Sequence, residues 1–305
     1  MDSLATYVLV GVYSAMAVYT LAFLFYSVDL ATRSTDVESK AVGAGGSAVA
    51  TMTHAVRATF YQRAGTSLLI VAWLVHLGSA ILRGVAAGRV PWANMFEFGL
   101  TATLLIAAVF IGSLLWKDLG YLGAFVSGFV LLALGIVTVN YYVDVVPLPP
   151  ALQSYWLVIH VFVASLASAF FALGAGLSIY QLMRSRVDRQ GGVVPRLMAS
   201  LPGAEALESL AYRLYVIGFV LWTFTLIAGA IWAERAWGRY WGWDVKEVWT
   251  FIIWVLFAGY IHARATRGWR GSRAAWLGII GFGAVLFNYT VVNIAFTGLH
   301  SYSGL

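Results

Sequence analysis

The sequence predicts an all-α fold, a polytopic membrane helix bundle of about eight transmembrane helices with both termini outside. Of its 305 residues, 61% are apolar and only 10% are charged, whereas about 25% of the residues of a soluble domain are charged. The mean hydropathy is +0.82. The apolar residues also occur in runs long enough to cross a hydrocarbon core of ~30 Å, which takes roughly 20 helical residues. The chain is therefore predicted to be an integral membrane protein.

The apolar runs are the predicted membrane spans. They cover residues 4–28, 65–85, 94–115, 119–140, 155–181, 213–233, 247–264 and 274–296. The first run follows an acidic Asp2 with no basic segment before it, so it is interpreted as a retained span and not as a cleaved signal. Because no polar stretch is long enough for a separate soluble domain, residues 1–305 are predicted to form one transmembrane domain.

The basic residues predict the orientation of the spans. One set of connections carries fourteen of the nineteen Lys and Arg residues, and loops rich in Lys and Arg stay in the cytoplasm. The long connections 29–63 and 182–212 are therefore predicted to be cytoplasmic. The first contains the tract "AVGAGGSAVA", which is expected to be flexible. In the second, Leu207, Leu210 and Leu214 are spaced as on one face of a helix at the membrane surface.

Composition also excludes several function classes. The chain has no cysteine, so it can form no disulfide, zinc–thiolate site, iron–sulfur cluster or thiol redox centre of its own. No loop combines clustered basic residues with base-stacking aromatics, so no nucleic-acid partner is expected. The net charge of +6 is instead interpreted as a signal of membrane topology, with the lipid bilayer as the partner.

The segment "IWAERAWGRYWGWDVKEVW", residues 231–249, is the most unusual part of the chain. It holds five tryptophans and six charged residues, and the orientation places its loop, residues 234–247, outside the membrane. Tryptophan is enriched at membrane interfaces, so an aromatic belt would account for some of these rings. A belt does not require the alternation with Arg235, Arg239, Asp244, Lys246 and Glu247. A flat, apolar ligand with negatively charged edges would require both the rings and the cations.

Four of the five histidines lie in or next to predicted spans, where ionisable groups tend to mark function. His160 and His300 are expected at the level of the Trp-rich loop and could supply two axial imidazoles to one metal. His76 and His262 lie deeper, at depths that differ by ~10 Å or less, and could form a second pair. Any one of these histidines could equally be a packing residue. Imidazole ligands beside a tryptophan surface indicate a metal carried inside a macrocycle, and haem fits that description.

The chain resembles the CcsA (ResC) type of cytochrome c biogenesis protein, the membrane subunit of the System II cytochrome c synthetase. The main motif is "WGRYWGWDVKEVW" (Trp237–Trp249), the tryptophan-rich signature of these haem-handling (WWD-domain) proteins. It is flanked by "WLVIHV", "FTGLHSY", "HLGSAILRGVAAGRVPWANMFEF" and "YIHARATRGW", which carry His160, His300, His76 and His262. Val245 is a departure, because the family usually has Pro there.

The resemblance implies that the protein moves haem b to the outer face of the membrane and positions it for thioether attachment to the CxxCH motif of apocytochrome c. The implied axial ligands of the haem iron are His76 with His262 and His160 with His300. The implied catalytic residues are His160, His300, Trp237, Trp241, Trp243 and Asp244, and further haem contacts are expected from Trp232, Trp237, Trp243, Arg235, Arg239 and Lys246. The implied location is a bacterial plasma membrane. The implied partners are a CcsB (ResB) type membrane subunit, apocytochrome c and thiol-reducing proteins.

Three other functions also agree with parts of the sequence. A haem exporter or chaperone without ligase activity would use the same histidines, and a b-type electron-transfer protein would pair histidines across helices. A transporter for another substrate is a third candidate, although no span is clearly interrupted by Gly or Pro as midplane binding sites often are. Covalent attachment of haem to a CxxCH protein distinguishes the synthetase from all three.

Overall fold

The computed structural model describes the chain except residues 1, 43–47, 191–200, 267, 297 and 301–305. The described residues are helical with short connections and contain no strand. The helices are α1 (Asp2–Val42), α2 (Ala48–Ala87), α3 (Met95–Leu114), α4 (Gly123–Tyr141), α5 (Tyr155–Gln190), α6 (Ala204–Trp237), α7 (Val245–Thr266), α8 (Ser272–Tyr289) and α9 (Val291–Ala295). Short 3₁₀ turns cover Gly120–Leu122 and Pro150–Leu152.

The helices confirm the predicted all-α membrane bundle. Eight of them, α1 to α8, contain segments long and apolar enough to cross a bilayer among the described residues. Inside a bilayer every backbone N–H and C=O must be bonded within the protein, which a helix achieves by itself. The inside and outside orientation stays a prediction from the charge distribution.

The helices extend further than the predicted spans. α1 and α2 run to Val42 and from Ala48, so helix occupies most of the connection 29–63, while the centre of its glycine-rich tract lies outside the described residues. In the connection 182–212, α5 continues to Gln190 and α6 begins at Ala204. Leu207 and Leu214 are buried on the first turns of α6. The expected surface helix is thus the start of the sixth span itself.

The bundle is built from antiparallel helix pairs. α1 packs along α2, α5 packs along α6, and α3 contacts α2, α4 and α5. α7 lies on α8 and α6, and α8 also contacts α5. In the core, Phe171 of α5 and Phe257 of α7 stack with ring centroids 3.7 Å apart and planes 4° from parallel, and Tyr215 of α6 lies 5.4 Å from the Phe257 ring. These rings fix three spans of the second half of the chain against one another.

A buried ion cluster joins α2 to the start of α3. The Glu97 carboxylate accepts hydrogen bonds from Arg83 Nε at 2.9 Å and Arg89 Nη1 at 2.6 Å, and from the Ala93 backbone N–H at 2.9 Å. Arg83 also donates to the carbonyl oxygen of Val143. The Asn94 side chain caps α3 by accepting the N–H of Glu97. This cluster fixes the connection between α2 and α3.

Replacing Glu97 by Gln should destabilise the protein strongly. The change leaves two guanidinium groups with no carboxylate in a site where Glu97 and Arg83 are 0% and 1% exposed, and removing one partner of a buried ion pair costs roughly 3–5 kcal/mol. We expect a lower thermal unfolding midpoint for the purified protein in detergent. Asp188→Asn is the matched control, since it removes an ion pair with Arg184 that is partly open to solvent and worth about 0–1 kcal/mol. Equal midpoints for both variants would contradict the prediction.

Candidate functional site

A cavity of about 260 Å³ lies inside the bundle, at the end where α3, α5 and α7 begin and α6 ends. Its walls come from α3, α4, α5, α6, α7 and α8. The residues predicted from sequence that line it are His160, Trp232, Trp241, Lys246 and His300. The structure therefore brings His160 and His300 into one cavity, although 140 positions separate them in the sequence.

His160 is fixed by a backbone carbonyl and by the close approach of a glycine. Its Nδ1 lies 3.0 Å from the carbonyl oxygen of Thr225. Because a carbonyl only accepts, Nδ1 carries the proton and Nε2 keeps its lone pair for a metal. A Cβ at position 229 would lie 2.7 Å from Cε1 and 2.9 Å from Nδ1 of this ring, so the ring occupies space that Gly229 leaves open.

His300 is fixed in the same way by a carboxylate. Its Nδ1 lies 2.7 Å from Asp244 Oδ2, and the other carboxylate oxygen accepts the backbone N–H of Leu299 at 3.0 Å. The hydrogen bond from His300 is the main reason why the pKa of Asp244 falls to about 2. Nε2 of His300 is therefore also available as a ligand, in the carboxylate–histidine arrangement typical of metal sites.

The Trp-rich loop has a defined backbone because its ends are capped. α6 ends at Trp237 and is capped by Gly238, which has a left-handed φ of 70° and donates its N–H to the Glu234 carbonyl. At the start of α7, Asp244 accepts the N–H of Lys246, and Glu247 accepts the N–H groups of Gly242 and Asp244. Asp244 and Glu247 thus form a capping box. Asp244 serves both this cap and His300, so the loop and the segment 298–300 are held together.

The tryptophans of the loop have different positions. Trp232 is close to both histidines, with its ring centroid 5.8 Å from His160 and 5.3 Å from His300. Trp237 contacts His300 edge-on at 4.7 Å and Trp232 at 4.8 Å. Trp241 lines the cavity. Trp243 lies outside it and is 74% exposed. Trp232 and Trp237 contact the histidines and Trp241 lines the same cavity, whereas Trp243 is presented to the exterior.

The three predicted cations also differ. Lys246 lines the cavity, and its Nζ donates to the Asn288 carbonyl at 3.1 Å. The guanidinium of Arg239 lies directly over the backbone of Gly242, where a Cβ would overlap it. Arg235 is exposed and lies 3.5 Å from the Glu234 carboxylate. Of these three cations in the described structure, Lys246 is the one that reaches the cavity.

The inner histidines are not brought together. His76 of α2 is fully buried, with its Nδ1 3.4 Å from the Tyr19 hydroxyl and no hydrogen-bond partner for its Nε2 in the described part of the chain. His262 is exposed on α7. α2 packs on α1 and α3, while α7 packs on α8 and α6. A shared ligand for His76 and His262 is therefore a prediction that this arrangement does not support, because the two histidines lie on helices that are not packed together.

Three residues of the site carry no role in the sequence prediction. Glu247 stands three residues after Asp244, which is the capping-box spacing and could have indicated its role. Thr225 acts through its backbone carbonyl, and Gly229 acts by having no side chain. Neither of these two contributions leaves a signal in a single sequence.

The chain is similar to curated cytochrome c biogenesis proteins named CcsA. It is 35% identical to the one from Guillardia theta over 271 residues, covering 82% of this chain and 88% of that protein. It is 35% identical to the one from Synechococcus elongatus over 290 residues, covering 78% and 86%, and 33% identical to the one from Prochlorococcus marinus subsp. pastoris over 272 residues, covering 80% and 85%.

A solved structure has a similar fold. It is titled cytochrome c heme lyase CcmF, and it matches 92% of this chain with a TM-score of 0.59 at 15% sequence identity. The chain covers 46% of that protein, about half of its length. At this identity the match shows a common fold.

The model of the cytochrome C assembly protein family matches residues 9–300. From this match and from the identity to the CcsA proteins, the chain belongs to the cytochrome c assembly protein family, as a multi-pass membrane protein of the CcsA type.

Proposed function

We propose that this protein is the membrane subunit of a cytochrome c synthetase that takes haem b as a substrate and holds its iron between His160 and His300. The observation that carries the proposal is the matched pair of hydrogen bonds that direct both Nδ1 atoms to oxygen acceptors. Both Nε2 atoms keep a lone pair at the wall of one cavity. Bis-imidazole ligation is a standard way to hold haem iron.

The walls of the cavity also suit haem. Trp232 and Trp241 offer aromatic faces, and most of the remaining lining is apolar, as in sites for flat apolar ligands generally. Lys246 places its amino group beside this lining, where it can bind a carboxylate of the haem. The charges of Arg235 and Arg239 lie outside the cavity, so in this proposal they do not contact the haem.

The chemistry requires positioning more than chemical activation. Each cysteine thiol of a CxxCH motif adds across one vinyl group, with sulfur bonded to one carbon and hydrogen to the other. This addition needs no oxidant. Since the chain has no cysteine, both thiols belong to the substrate, and other proteins must keep them reduced. Holding the haem in one orientation turns the reaction into an effectively intramolecular step, which can lower the activation free energy by several kcal/mol.

Further parts of the proposal concern location and partners. In this proposal the protein lies in the plasma membrane; the charge distribution favours an orientation with the Trp-rich loop outside, and the described loops contain no large external domain. A CcsB (ResB) type membrane subunit would supply that domain, and apocytochrome c would bind from the outer side. In this scheme Asp244 is a positioning residue that holds His300, while His160 and His300 contact the haem iron directly.

The first test is the state of the bound haem. Purified protein should contain non-covalent haem with a six-coordinate, low-spin absorption spectrum, because two imidazoles bind the iron. His160→Ala and His300→Ala should each lower haem occupancy or convert the spectrum to a five-coordinate form, and added imidazole should partly restore it. In cells that supply the partner subunit, both variants should also fail to attach haem covalently to a CxxCH protein, as seen by peroxidase staining of a denaturing gel.

Two further variants separate the outer site from the inner histidines. His76→Ala and His262→Ala should leave the spectrum of haem bound at His160 and His300 unchanged if the outer pair alone ligates that haem. An unchanged spectrum and normal covalent attachment in His160→Ala and His300→Ala would contradict the proposal. Normal haem binding without any covalent attachment by the wild-type complex would instead favour a haem chaperone.

The second test uses Gly229, which makes room for His160. Gly229→Ala places a Cβ within 3 Å of the imidazole ring, so the ring has to move. A displacement of about 1 Å in a positioned group can cost roughly 100-fold in rate, and we expect a loss of that order in covalent attachment together with a changed haem spectrum. Gly283→Ala in α8 is the matched control, since a Cβ there meets nothing within 4 Å. If Gly229→Ala behaved like this control, the close packing of His160 would not matter for function.

A further inference from the structure

Trp243 combines an exposed indole ring with a strained backbone. Its φ of 60° is the one positive value at a non-glycine position in the described structure, and such a conformation costs about 1–3 kcal/mol for a bulky residue. Its ring is 74% exposed. Burial of the ring therefore does not compensate for the strain, and something else must maintain this conformation.

The neighbouring backbone holds Trp243 in place. Glu247 Oε2 accepts the N–H of Gly242 at 2.8 Å and the N–H of Asp244 at 3.0 Å, so one carboxylate oxygen binds the residues on both sides of Trp243. The Trp243 ring contacts Trp241 edge-on, with centroids 5.9 Å apart and planes at 88°. The outward direction of the indole is thus built into the loop.

Two other exposed apolar side chains belong to the same part of the structure as Trp243. Tyr240 is 62% exposed and also lines the cavity. Leu299 is 40% exposed, and its N–H binds Asp244, the residue that follows Trp243. Tyr240, Trp243 and Leu299 are together called the mouth surface. It is continuous with the cavity because Tyr240 belongs to both and Trp241 connects Trp243 to the cavity wall.

We propose that the mouth surface docks the unfolded, cysteine-containing segment of apocytochrome c. The inference rests on the proposed function, since that function requires thiols to reach a ring inside this cavity. A segment whose thiols enter the cavity must pass over its opening, and the described part of the chain places the exposed side chains of Tyr240, Trp243 and Leu299 beside it. Exposed Trp and Tyr rings are the residue types that most often anchor a peptide partner.

The proposal differs from two other uses of Trp243. A haem-contacting role would require the ring inside the cavity, whose lining does not include it. A ring that only anchors the protein in the lipid headgroup zone would not need a strained backbone fixed by two hydrogen bonds, because any exposed conformation would serve. In the docking proposal the ring has to stand at one place beside the opening, and Glu247 provides that placement.

The test measures peptide binding and haem content separately on the purified full chain. The probe is a fluorescent synthetic peptide with a Cys-x-x-Cys-His motif whose two cysteines are replaced by serine, so that it binds without reacting. The main variant is Trp243→Gly, because glycine adopts a φ of 60° without strain and the loop should keep its backbone. Trp243→Asn, also tolerated at positive φ, is the second variant. Trp276→Ala removes a 56% exposed ring at the opposite end of α8 from the cavity and is the matched control.

We expect fluorescence anisotropy to give at least a tenfold weaker peptide affinity for both Trp243 variants, with haem content equal to wild type and normal affinity for the Trp276 control. Unchanged affinity in Trp243→Gly and Trp243→Asn would overturn the proposal, as would a wild-type protein that does not bind the peptide. A parallel loss of haem and peptide binding would also overturn it, because it would make Trp243 a haem residue. Absence of haem from the wild-type protein with normal peptide binding would count against the proposed function and not against the docking surface.

Discussion

The carboxylate of Asp244 is the interaction on which the candidate site depends. It caps α7, accepts the N–H of Leu299 and binds Nδ1 of His300, so a loop between α6 and α7 is joined to the segment after α9. Without this link His300 would lose the contact that holds it at the cavity, and His160 would be the one histidine fixed there. A charged acceptor suits the task because its hydrogen bonds are stronger than those of a neutral group, and the low pKa of Asp244 keeps the charge in place at any ordinary pH.

The opposite wall of the cavity depends on a second set of charges. Glu97 binds Arg83 and Arg89 and fixes the connection that carries Trp92 and Asn94, both of which line the cavity. Trp92 Nε1 donates to the hydroxyl of Thr101, which lies on α3 one turn after Glu97. The membrane protein thus uses a buried ion cluster on the α3 wall and a carboxylate-capped loop on the α7 wall, with the rigid helices α5 and α6 between them.

Sequence patterns predicted the helical architecture well because the length of an apolar run directly reflects the thickness of the bilayer. They placed all eight spans. They also paired His160 with His300, because both histidines were expected at the same depth as the Trp-rich loop. Depth alone could not predict the inner site. His76 and His262 were expected at similar depths, but helix neighbours decide whether they meet, and α2 packs on α1 and α3 and not on α7. The tryptophans show the same limit: the signature names Trp237 and Trp243 equally, whereas the backbone turn at Trp243 sends one ring outward.

The two histidines of the cavity are synthesised at different times, one about halfway along the chain and one near its end. His160 lies near the start of α5, while His300 follows α9, so the cavity has only one of its two imidazoles until the last span has been made and inserted. The link between Asp244 and His300 can form only at that final stage. A chain that has not completed its last helix therefore has the Trp-rich loop but lacks one of the two imidazoles that line the finished cavity.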